Sequence, residues 1–369
     1  MIRLTIPDFD EQEYAEVKEV LASGFLVQGP KVAEFERVIA DYIGARHAIA
    51  VSSGTAALHL ALVALDIKAG DEVIVPDFTF PATANVVELV GATTRFVDIK
   101  TDDFCIDVGR IEAEINENTR AIIPVHEFGH PADMDVIVNL AQKYNLKIIE
   151  DAACALGAEY KGRKAGTIGA AGCFSFHPRK SITMGEGGII ATGDDRLASR
   201  LKILRNHGLD QAGGEASFTA AGFNYRLTEF QAALGIVQAG KMEQINAQRR
   251  KIVDYYNKGL KDTCGINLPV EKEDCRHAWQ TYHLLLDESI SRDGLIGRLR
   301  EDGIESNFGA HAVHAQPYYR RKYDLDDSKF GRAIKAYNQG LALPLHPRLV
   351  RRDLDKVIRC IRGHLNERA

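Results

Sequence analysis

Seven short apolar runs alternate with segments of helical periodicity between about residues 48 and 192. The runs cover residues 48–52, 72–76, 95–99, 121–126, 146–151, 173–177 and 188–192. Strands that alternate with helices favour a mostly parallel sheet that is covered by helices on both faces. We therefore predict an α/β fold whose large domain holds a seven-stranded, mostly parallel sheet between helices.

Two helices are predicted after the last apolar run. The shorter one covers residues 194–206, and a long one covers residues 228–258, with Thr228 as its N-cap. After about residue 265 the pattern changes and predicts strands at residues 279–287 and 341–345 and helices at residues 291–303 and 350–365. These elements predict a smaller C-terminal α/β domain. We divide the chain into a large cofactor-binding domain, residues 1–245, and a small domain, residues 246–369.

Composition narrows the class of protein. The 369 residues are 45% hydrophobic and carry a formal net charge of -5, with no long basic run, which argues against a nucleic-acid partner. No stretch of 18 apolar residues predicts a membrane span, and the N-terminus lacks a signal-peptide core. The six cysteines show no paired spacing, so we expect reduced thiols, no zinc and a cytoplasmic protein.

The run FSFHPRKSITMGEGG, residues 174–188, contains the most telling residue, Lys180. Lys180 follows an apolar run and precedes a glycine-rich turn. A second apolar run, residues 146–149, is followed directly by Glu150 and Asp151. A lone amine and a lone carboxylate at strand ends are what pyridoxal phosphate chemistry needs. The lysine forms a Schiff base with the cofactor aldehyde, and the aspartate keeps the pyridine nitrogen protonated.

Three further positions suit the same cofactor, although each has a plainer interpretation. Gly54 and Thr55 lie between an apolar run and a helical segment, where free backbone N–H groups bind anions such as a phosphate. The Ser175 hydroxyl is placed to reach the same phosphate, and Phe80 to stack on the pyridine ring. The alternatives are an ordinary capped turn, a core serine and a core aromatic residue.

Taken together, these features resemble the DegT/StrS-type sugar aminotransferases, which are fold type I pyridoxal phosphate enzymes. The resemblance covers nearly the whole chain, and its blocks keep their order and compatible spacing. The matching blocks are GPKVAEFE (29–36), SSGTAAL (52–58), PDFTFPATAN (76–85), PVHEFGHPADMD (124–135), EDAACALGAEYKGRKAGTIG (150–169), FSFHPRKSITMGEGG (174–188), RNHG (205–208), NYRLTEFQAALG (224–235) and LALPLHP (341–347).

The resemblance assigns roles to individual residues. Lys180 would be the Schiff-base lysine and proton shuttle, and Asp151 the partner of the pyridine nitrogen. Cys154 departs from the family, because glutamine, histidine or glutamate is frequent at this position near the cofactor ring. The remaining cofactor contacts implied by the resemblance are the phosphate ligands Gly54, Thr55 and Ser175, the stacking residue Phe80, and Asn224, which would reach the phosphate of the neighbouring subunit in a homodimer with shared active sites.

The resemblance also implies the reaction. L-glutamate would donate an amino group, through a ping-pong cycle, to a nucleotide-linked keto-sugar. The turn SITMGEGG favours a 4-keto over a 3-keto sugar. Arg226 is a candidate for the nucleotide diphosphate or the donor carboxylate, against an interface ion pair, and His314 for the sugar pocket, against a structural hydrogen bond.

Two other functions compete with this prediction. One is amination of a keto-cyclitol, for which the same blocks would appear. The other is a non-catalytic regulator that retains the fold, against which the intact Lys180, Asp151 and Ser175 argue. A nucleotide-binding module of the Rossmann type is disfavoured, because no GxGxxG motif follows an early strand.

Overall fold

The computed structural model of the chain describes residues 1–210 and 215–366. The described strands, numbered in chain order, are β1 (His47–Val51), β2 (Glu72–Pro76), β3 (Phe78–Thr79), β4 (Thr93–Val97), β5 (Thr119–Ile122), β6 (Lys147–Asp151), β7 (Glu159–Tyr160), β8 (Arg163–Lys164), β9 (Ala171–Ser175), β10 (Gly188–Thr192), β11 (Leu209–Asp210), β12 (Ser217–Phe218), β13 (Ile266–Asn267), β14 (Cys275–Arg276), β15 (Tyr282–Leu286), β16 (His311–Ala312) and β17 (Gly340–Leu343).

Helices fill much of the remaining chain, joined by short 3-10 turns at Glu112–Glu114, Glu127–Gly129 and Asp327–Phe330. The described α-helices are α1 (Glu11–Ser23), α2 (Pro30–Ile43), α3 (Gly54–Ala64), α4 (Ala82–Leu89), α5 (Val108–Ile111), α6 (Met134–Tyr144), α7 (Asp195–Arg205), α8 (Glu229–Gly240), α9 (Met242–Leu260), α10 (Arg292–Glu301), α11 (Pro317–Lys322), α12 (Gly331–Gln339) and α13 (Arg351–Asn366). Among residues 1–210 and 215–366, no helix combines the length and the hydrophobicity that a membrane span requires.

The central sheet has seven strands in the order β1-β10-β9-β6-β5-β2-β4. The pairings from β9 through β6, β5 and β2 to β4 are parallel, whereas β10 runs antiparallel to both its neighbours. The predicted α/β fold with a mostly parallel seven-stranded sheet is therefore confirmed, and each predicted run supplies one strand.

The same topology brings three strand ends together. Because β10 is antiparallel to both β1 and β9, these two strands point the same way, and Gly188 pairs with both Val51 and Ser175. On the other side of β9, Asp151 pairs with Cys173. The carboxyl ends of β1, β6 and β9 thus meet at one edge of the sheet, the edge where ligands bind in open α/β sheets.

Helix α3 anchors this edge. It is apolar on all sides, and most of its residues are buried, including Leu60 and Leu62, which have no exposed surface. A helix that is hydrophobic all round belongs in the core. Its N-terminus therefore has a fixed position relative to β1 and β9.

A second core lies in the C-terminal part, where β13, β15 and β17 form an antiparallel sheet. Tyr256, Leu284, Leu299 and Val357 are completely buried there, and Ile2 packs against them. Helix α9 is continuous across the predicted division between residues 245 and 246. The division itself stays a prediction.

The single helix predicted over residues 228–258 is wrong. Helix α8 ends at Gly240, and α9 begins at Met242. Lys241 lies between them, and its ammonium group is 2.6 Å from Glu13 and 2.9 Å from Asp10. The apolar periodicity continues through the break, which is why the sequence pattern conceals it. Thr228 is the N-cap, as predicted, and forms a capping box with Gln231.

Candidate active site

Lys180 lies in the turn after β9 and is half-buried. Its Nζ atom donates a hydrogen bond to Cys154 Sγ at 3.1 Å. Burial by itself lowers the pKa of Lys180, but Cys154, Asp151 and Glu127 outweigh this effect, so the pKa is raised. In the chain alone, the amine is therefore protonated at neutral pH, and it must lose a proton before it can act as a nucleophile.

Asp151 ends β6 and is only 5% exposed. One carboxylate oxygen, Oδ2, accepts a hydrogen bond from Thr83 Oγ1 at 2.8 Å, and Oδ1 accepts one from the backbone N–H of Ala153 at 3.1 Å. Both donors are neutral groups. A buried carboxylate with neutral donors is suited to receive a cationic partner, because the pairing offsets its desolvation.

Glu150, the neighbour of Asp151, faces a different environment. Its Oε1 atom accepts hydrogen bonds from the backbone N–H groups of Ile168 and Gly169, both at 2.6 Å. Its Oε2 atom accepts from Gly166 N–H at 2.7 Å and lies 3.0 Å from His126 Nε2. Burial raises the pKa of Glu150, but these partners outweigh burial and lower it. The carboxylate is fully used in fastening the loop after β8.

The N-terminus of α3 lies against Ser175. A Cβ atom on Gly54 would lie 2.7 Å from Ser175 Cβ and 3.1 Å from its hydroxyl, so only glycine fits without displacement. The Ser53 side chain caps the helix by accepting from Ala56 N–H at 3.0 Å. The first-turn amides of Gly54 and Thr55 have no partner within the helix. Together with the hydroxyl of Ser175, they form a corner of hydrogen-bond donors that is suited to an anion, which we call the anion-binding corner.

Three predicted residues lie near the surface. Phe80 follows β3, and 67% of its side chain is exposed. Asn224 is also exposed, and its backbone pairs with that of Asn206. Arg226 donates to the side-chain oxygen of Asn206 at 2.8 Å. No described contact joins these side chains to Lys180, so their ligand contacts stay predictions.

His314 is buried instead, at 1% exposure. Its Nδ1 atom lies 2.5 Å from Asp77 Oδ2, and its backbone N–H donates to Asp77 Oδ1 at 2.7 Å. The ring stacks on Phe330 with centroids 4.4 Å apart. His314 thus fastens its segment to the end of β2, and the predicted sugar contact does not follow from this position.

The sequence interpretation missed three polar residues beside Asp151. Thr83 contacts it directly, Thr79 lies 3.2 Å from Thr83, and Glu127 is buried nearby. A signal was available, since Thr79 and Thr83 are four residues apart in the block PDFTFPATAN, and Glu127 directly follows an apolar run. The order of residues shows no contact between these two segments, which meet only in the folded sheet.

Comparison with known proteins fits this geometry. The sequence profile of the DegT/DnrJ/EryC1/StrS aminotransferase family matches residues 7–362. GDP-perosamine synthase from Caulobacter vibrioides is 41% identical, over 97% of this chain and 96% of that protein. The spore coat polysaccharide biosynthesis protein SpsC from Bacillus subtilis is 37% identical, over 97% and 95% of the two chains.

Solved structures agree with the sequence relatives. A putative sugar aminotransferase from Streptococcus pneumoniae, in its PMP-form, superposes with a TM-score of 0.93 at 30% identity, covering 99% of this chain and 97% of that one. DesV from S. venezuelae gives a TM-score of 0.90 at 36% identity, covering 98% of both chains.

The residues present fit pyridoxal phosphate. The anion-binding corner of Gly54, Thr55 and Ser175 suits its phosphate, and Asp151 offers a buried carboxylate for its ring nitrogen. Lys180 would provide the amine for its aldehyde. Within residues 1–210 and 215–366, no cluster of three or more His, Cys, Asp or Glu side chains could hold a metal ion.

Proposed function

Because the chain belongs to the DegT/DnrJ/EryC1/StrS aminotransferase family and is a pyridoxal phosphate-dependent sugar aminotransferase, we propose that it aminates a nucleotide-linked keto-sugar, with L-glutamate as donor. The 4-keto position is favoured over the 3-keto position. The turn SITMGEGG after β9 supports this choice, and the 41% identity to a GDP-perosamine synthase supports a nucleotide-linked sugar as the substrate.

The observation that carries the proposal is that Lys180, in the turn after β9, and the buried Asp151, at the end of β6, lie at the same edge of the sheet. Lys180 supplies the amine that binds the cofactor and, once released and neutral, moves a proton to and from the substrate carbon. General acid–base help of this kind is worth about 10²–10⁴-fold in rate. The bound cofactor supplies an electron sink.

Asp151 keeps the ring nitrogen of the cofactor protonated, and its position is fixed by Thr83 and by the amide of Ala153. Gly54, Thr55 and Ser175 hold the phosphate. These groups are carried by rigid strand ends and one buried helix, so the ring is fixed at both its phosphate and its nitrogen. Fixed geometry lowers the entropic cost of reaching the transition state.

Cys154 orients Lys180. Burial raises the pKa of the Cys154 thiol, while Lys180 lowers it in part. The Cys154 sulfur accepts a hydrogen bond from the Lys180 amine at 3.1 Å. Cys154 therefore takes a place beside the cofactor.

A homodimer with shared active sites completes the proposal, in a cytoplasmic setting. Phe25 and Val27, two residues apart in the chain, are apolar residues that are 57% and 46% exposed, and burial of such apolar surface would favour association. The exposed Asn224 is available to the cofactor phosphate of a second subunit. Arg226 is a candidate ligand for a diphosphate or a donor carboxylate, by bidentate contact.

The test is an absorbance titration of the purified protein reconstituted with pyridoxal phosphate. The matched control is Lys161→Ala, which removes an exposed lysine that pairs with Asp135. We expect L-glutamate to convert the visible band of wild type and control to a near-ultraviolet band, and we expect no such conversion in Lys180→Ala, which lacks the amine that moves the proton. Conversion in Lys180→Ala at the wild-type rate would overturn the role of Lys180.

The sugar is tested next, by mass spectrometry and NMR of products from nucleotide-linked 4-keto and 3-keto sugars. We expect an amine at carbon 4. Turnover of the 3-keto sugar alone would refute the 4-keto preference, and turnover of a free keto-cyclitol alone would replace the sugar nucleotide.

A further inference from the structure

The peptide group that precedes the Cα atom of Lys180 is held at both of its polar atoms. Its N–H group, that of Lys180, donates to the carbonyl oxygen of His177 at 2.8 Å. Its carbonyl oxygen, that of Arg179, accepts a hydrogen bond from Gln280 Nε2 at 2.6 Å. A planar peptide group with both polar atoms bonded cannot rotate without losing one of the bonds. The two bonds therefore fix the direction in which the Lys180 side chain leaves the backbone.

The two hydrogen bonds come from different parts of the chain. The bond to His177 lies within the turn after β9, where the His177 ring also accepts from the N–H group of Arg179 at 3.2 Å. Gln280 is 101 positions away from Arg179, in the segment of residues 277–281 that joins β14 to β15. This second bond ties the turn that carries Lys180 to a distant segment.

The hydrogen bonds of Gln280 define the orientation of its side-chain amide. Its Oε1 atom accepts from Thr281 Oγ1 at 2.8 Å, which leaves the Nε2 atom for the carbonyl oxygen of Arg179. The reverse orientation would place the amide oxygen against that carbonyl oxygen, and neither atom carries a proton to donate. Gln280 is therefore a donor toward the turn.

A buried guanidinium group fixes the backbone of Gln280. Arg249, in α9, is 2% exposed, and its Nη1 atom donates to the carbonyl oxygens of Trp279 at 3.0 Å and of Gln280 at 2.8 Å. Burial lowers the pKa of Arg249 to about 10, so the group remains charged at neutral pH. Hydrogen bonds from a charged donor are stronger than those between neutral groups. The backbone beside the amide is thus anchored to helix α9.

Trp279, the residue before Gln280, has a strained conformation. Its φ angle is 50°, in the left-handed region that bulky residues avoid. Its ring stacks on His277 with centroids 3.8 Å apart, and its N–H group donates to His277 Nδ1 at 2.9 Å. Such strain persists only where the surroundings determine the conformation, and it occurs most often at functional sites. The position of Gln280 is therefore specified by these contacts and not by local preference.

The same segment also lies against the loop that carries Cys154. The N–H group of Gln280 donates to the carbonyl oxygen of Phe128 at 3.0 Å. A Cβ atom on Gly129 would lie 2.9 Å from the carbonyl oxygen of Cys154 and 3.2 Å from the nitrogen of Gln280, so Gly129 allows these segments to approach closely. Because Cys154 Sγ accepts from the amine of Lys180, the segment supports both the backbone and the amine end of Lys180.

We propose that Gln280 is a positioning residue for Lys180, whose side-chain amide holds the turn so that the lysine amine stays where it can move a proton. This positioning role rests on the proposed function of Lys180. Gln280 acts through the peptide group before Lys180, and a displacement of about 1 Å at a reacting group can lower a rate about 100-fold. Loss of the Gln280 donor therefore slows proton transfer and leaves substrate binding largely unchanged.

The first experiment is hydrogen exchange of the full chain without added cofactor, read by mass spectrometry. Gln280→Met keeps the length of the side chain but removes the donor. We expect it to raise the exchange rate of the peptide that contains Lys180 by about 2–10-fold, the range that corresponds to one hydrogen bond.

The matched control for this experiment is Gln316→Met. Gln316 Nε2 likewise donates to a backbone carbonyl, that of Ala312 at 3.1 Å, but at the start of α11. The control should leave the Lys180 peptide unchanged. Equal exchange in wild type and Gln280→Met would overturn the proposal. Because this readout does not involve the cofactor, such a failure is distinct from a failure of the role of Lys180.

The second experiment measures, by stopped-flow absorbance, how fast L-glutamate converts the visible band of the reconstituted protein. We expect Gln280→Met to lower kcat about tenfold with little change in KM. Gln280→Glu keeps the shape but places a carboxylate against the carbonyl oxygen, so it should be slower still. Gln316→Met should keep the wild-type rate.

Thermal unfolding of the same variants separates positioning from folding. We expect Gln280→Met and Gln316→Met to have similar melting temperatures, since each loses one glutamine donor to a carbonyl group. A wild-type kcat in Gln280→Met, or a loss of rate that Gln316→Met shares, would overturn the proposal. A rise in KM with unchanged kcat would also overturn it, because the amide would then serve substrate binding.

Discussion

Glu150 and Asp151 are adjacent acids on β6, yet their carboxylates lie in different surroundings. The Glu150 carboxylate is enclosed by three backbone N–H groups and His126, so every lone pair that faces the protein is used. Among residues 1–210 and 215–366, the Asp151 carboxylate accepts two hydrogen bonds, from Thr83 and Ala153. The Glu150 carboxylate is occupied by hydrogen bonds within the fold, whereas the Asp151 carboxylate retains the capacity to bind a cation.

The difference follows from the period of a strand. Successive side chains point to opposite faces of the sheet, so one acid faces the loop at residues 166–169 and the other faces the strand ends. Burial alone does not mark a functional acid, since Glu150 is the more deeply buried of the two. The number of hydrogen-bond donors that each carboxylate already accepts from distinguishes Glu150, which we assign to the fold, from Asp151, which we assign to the cofactor.

Replacement of the Asp151 carboxylate by an amide tests the role in the reaction that we propose for this acid. We expect Asp151→Asn to slow the reaction with L-glutamate by about 10²–10⁴-fold, because an amide cannot hold a proton on the ring nitrogen. Stability should change little, since the amide oxygen can still accept from Thr83. Stopped-flow absorbance measures the rate, and urea unfolding measures stability.

Glu150→Gln is the matched control for that substitution, because it makes the same chemical change one residue earlier. It should retain the rate and lose stability. An Asp151→Asn protein as fast as wild type, or a Glu150→Gln protein as slow as Asp151→Asn, would contradict the assignment of the two acids.

We expect a smaller effect from a substitution at the anion-binding corner of Gly54, Thr55 and Ser175. Gly54→Ala places a methyl group 2.7 Å from Ser175 Cβ, and relief of such overpacking costs about 1–3 kcal/mol. Because Ser175 or the first turn of α3 must then move, we expect the Kd for pyridoxal phosphate to rise about tenfold, a loss of about 1.4 kcal/mol in binding free energy. The control is Gly297→Ala, in α10, where a Cβ meets nothing within 4 Å. Equal cofactor affinity in the two variants would show that the corner is not the phosphate site.

Much of the fold could be predicted because strands and helices have local periods. The apolar runs at residues 72–76 and 188–192 coincide with β2 and β10. The break between α8 and α9 could not be predicted in this way. Lys241 interrupts the helix and pairs with Glu13, an ion pair between distant positions that no local period reports.

The site divides in the same manner. Lys180 and Asp151 could be proposed from sequence because each ends an apolar run. The contact of Thr83 with Asp151 could not be found, since it depends on which segments meet in the folded sheet. The position of His314 was also beyond the pattern, because its partner Asp77 is far away in the chain.

The pH dependence of stability tests whether the ionised Glu150 carboxylate stabilises the fold. The folded pKa of Glu150 is lowered below its ordinary value of 4.5, so its contribution to stability is fully present above that pH. The contribution is lost as the pH falls through the folded pKa. At neutral pH, Glu150→Gln should reduce the free energy of unfolding by about 1–3 kcal/mol, because an amide NH₂ replaces an acceptor for Gly166 N–H.

Below pH 4.5 the gap between the two proteins should narrow, since protonation makes the wild-type carboxyl resemble the amide. Urea unfolding at neutral and acidic pH measures both values. A gap that stays constant into acid would mean that the ionised form of Glu150 does not stabilise the fold. The distinction from Asp151 would then rest on geometry alone, because the charge of Glu150 would contribute nothing to holding residues 166–169 in place.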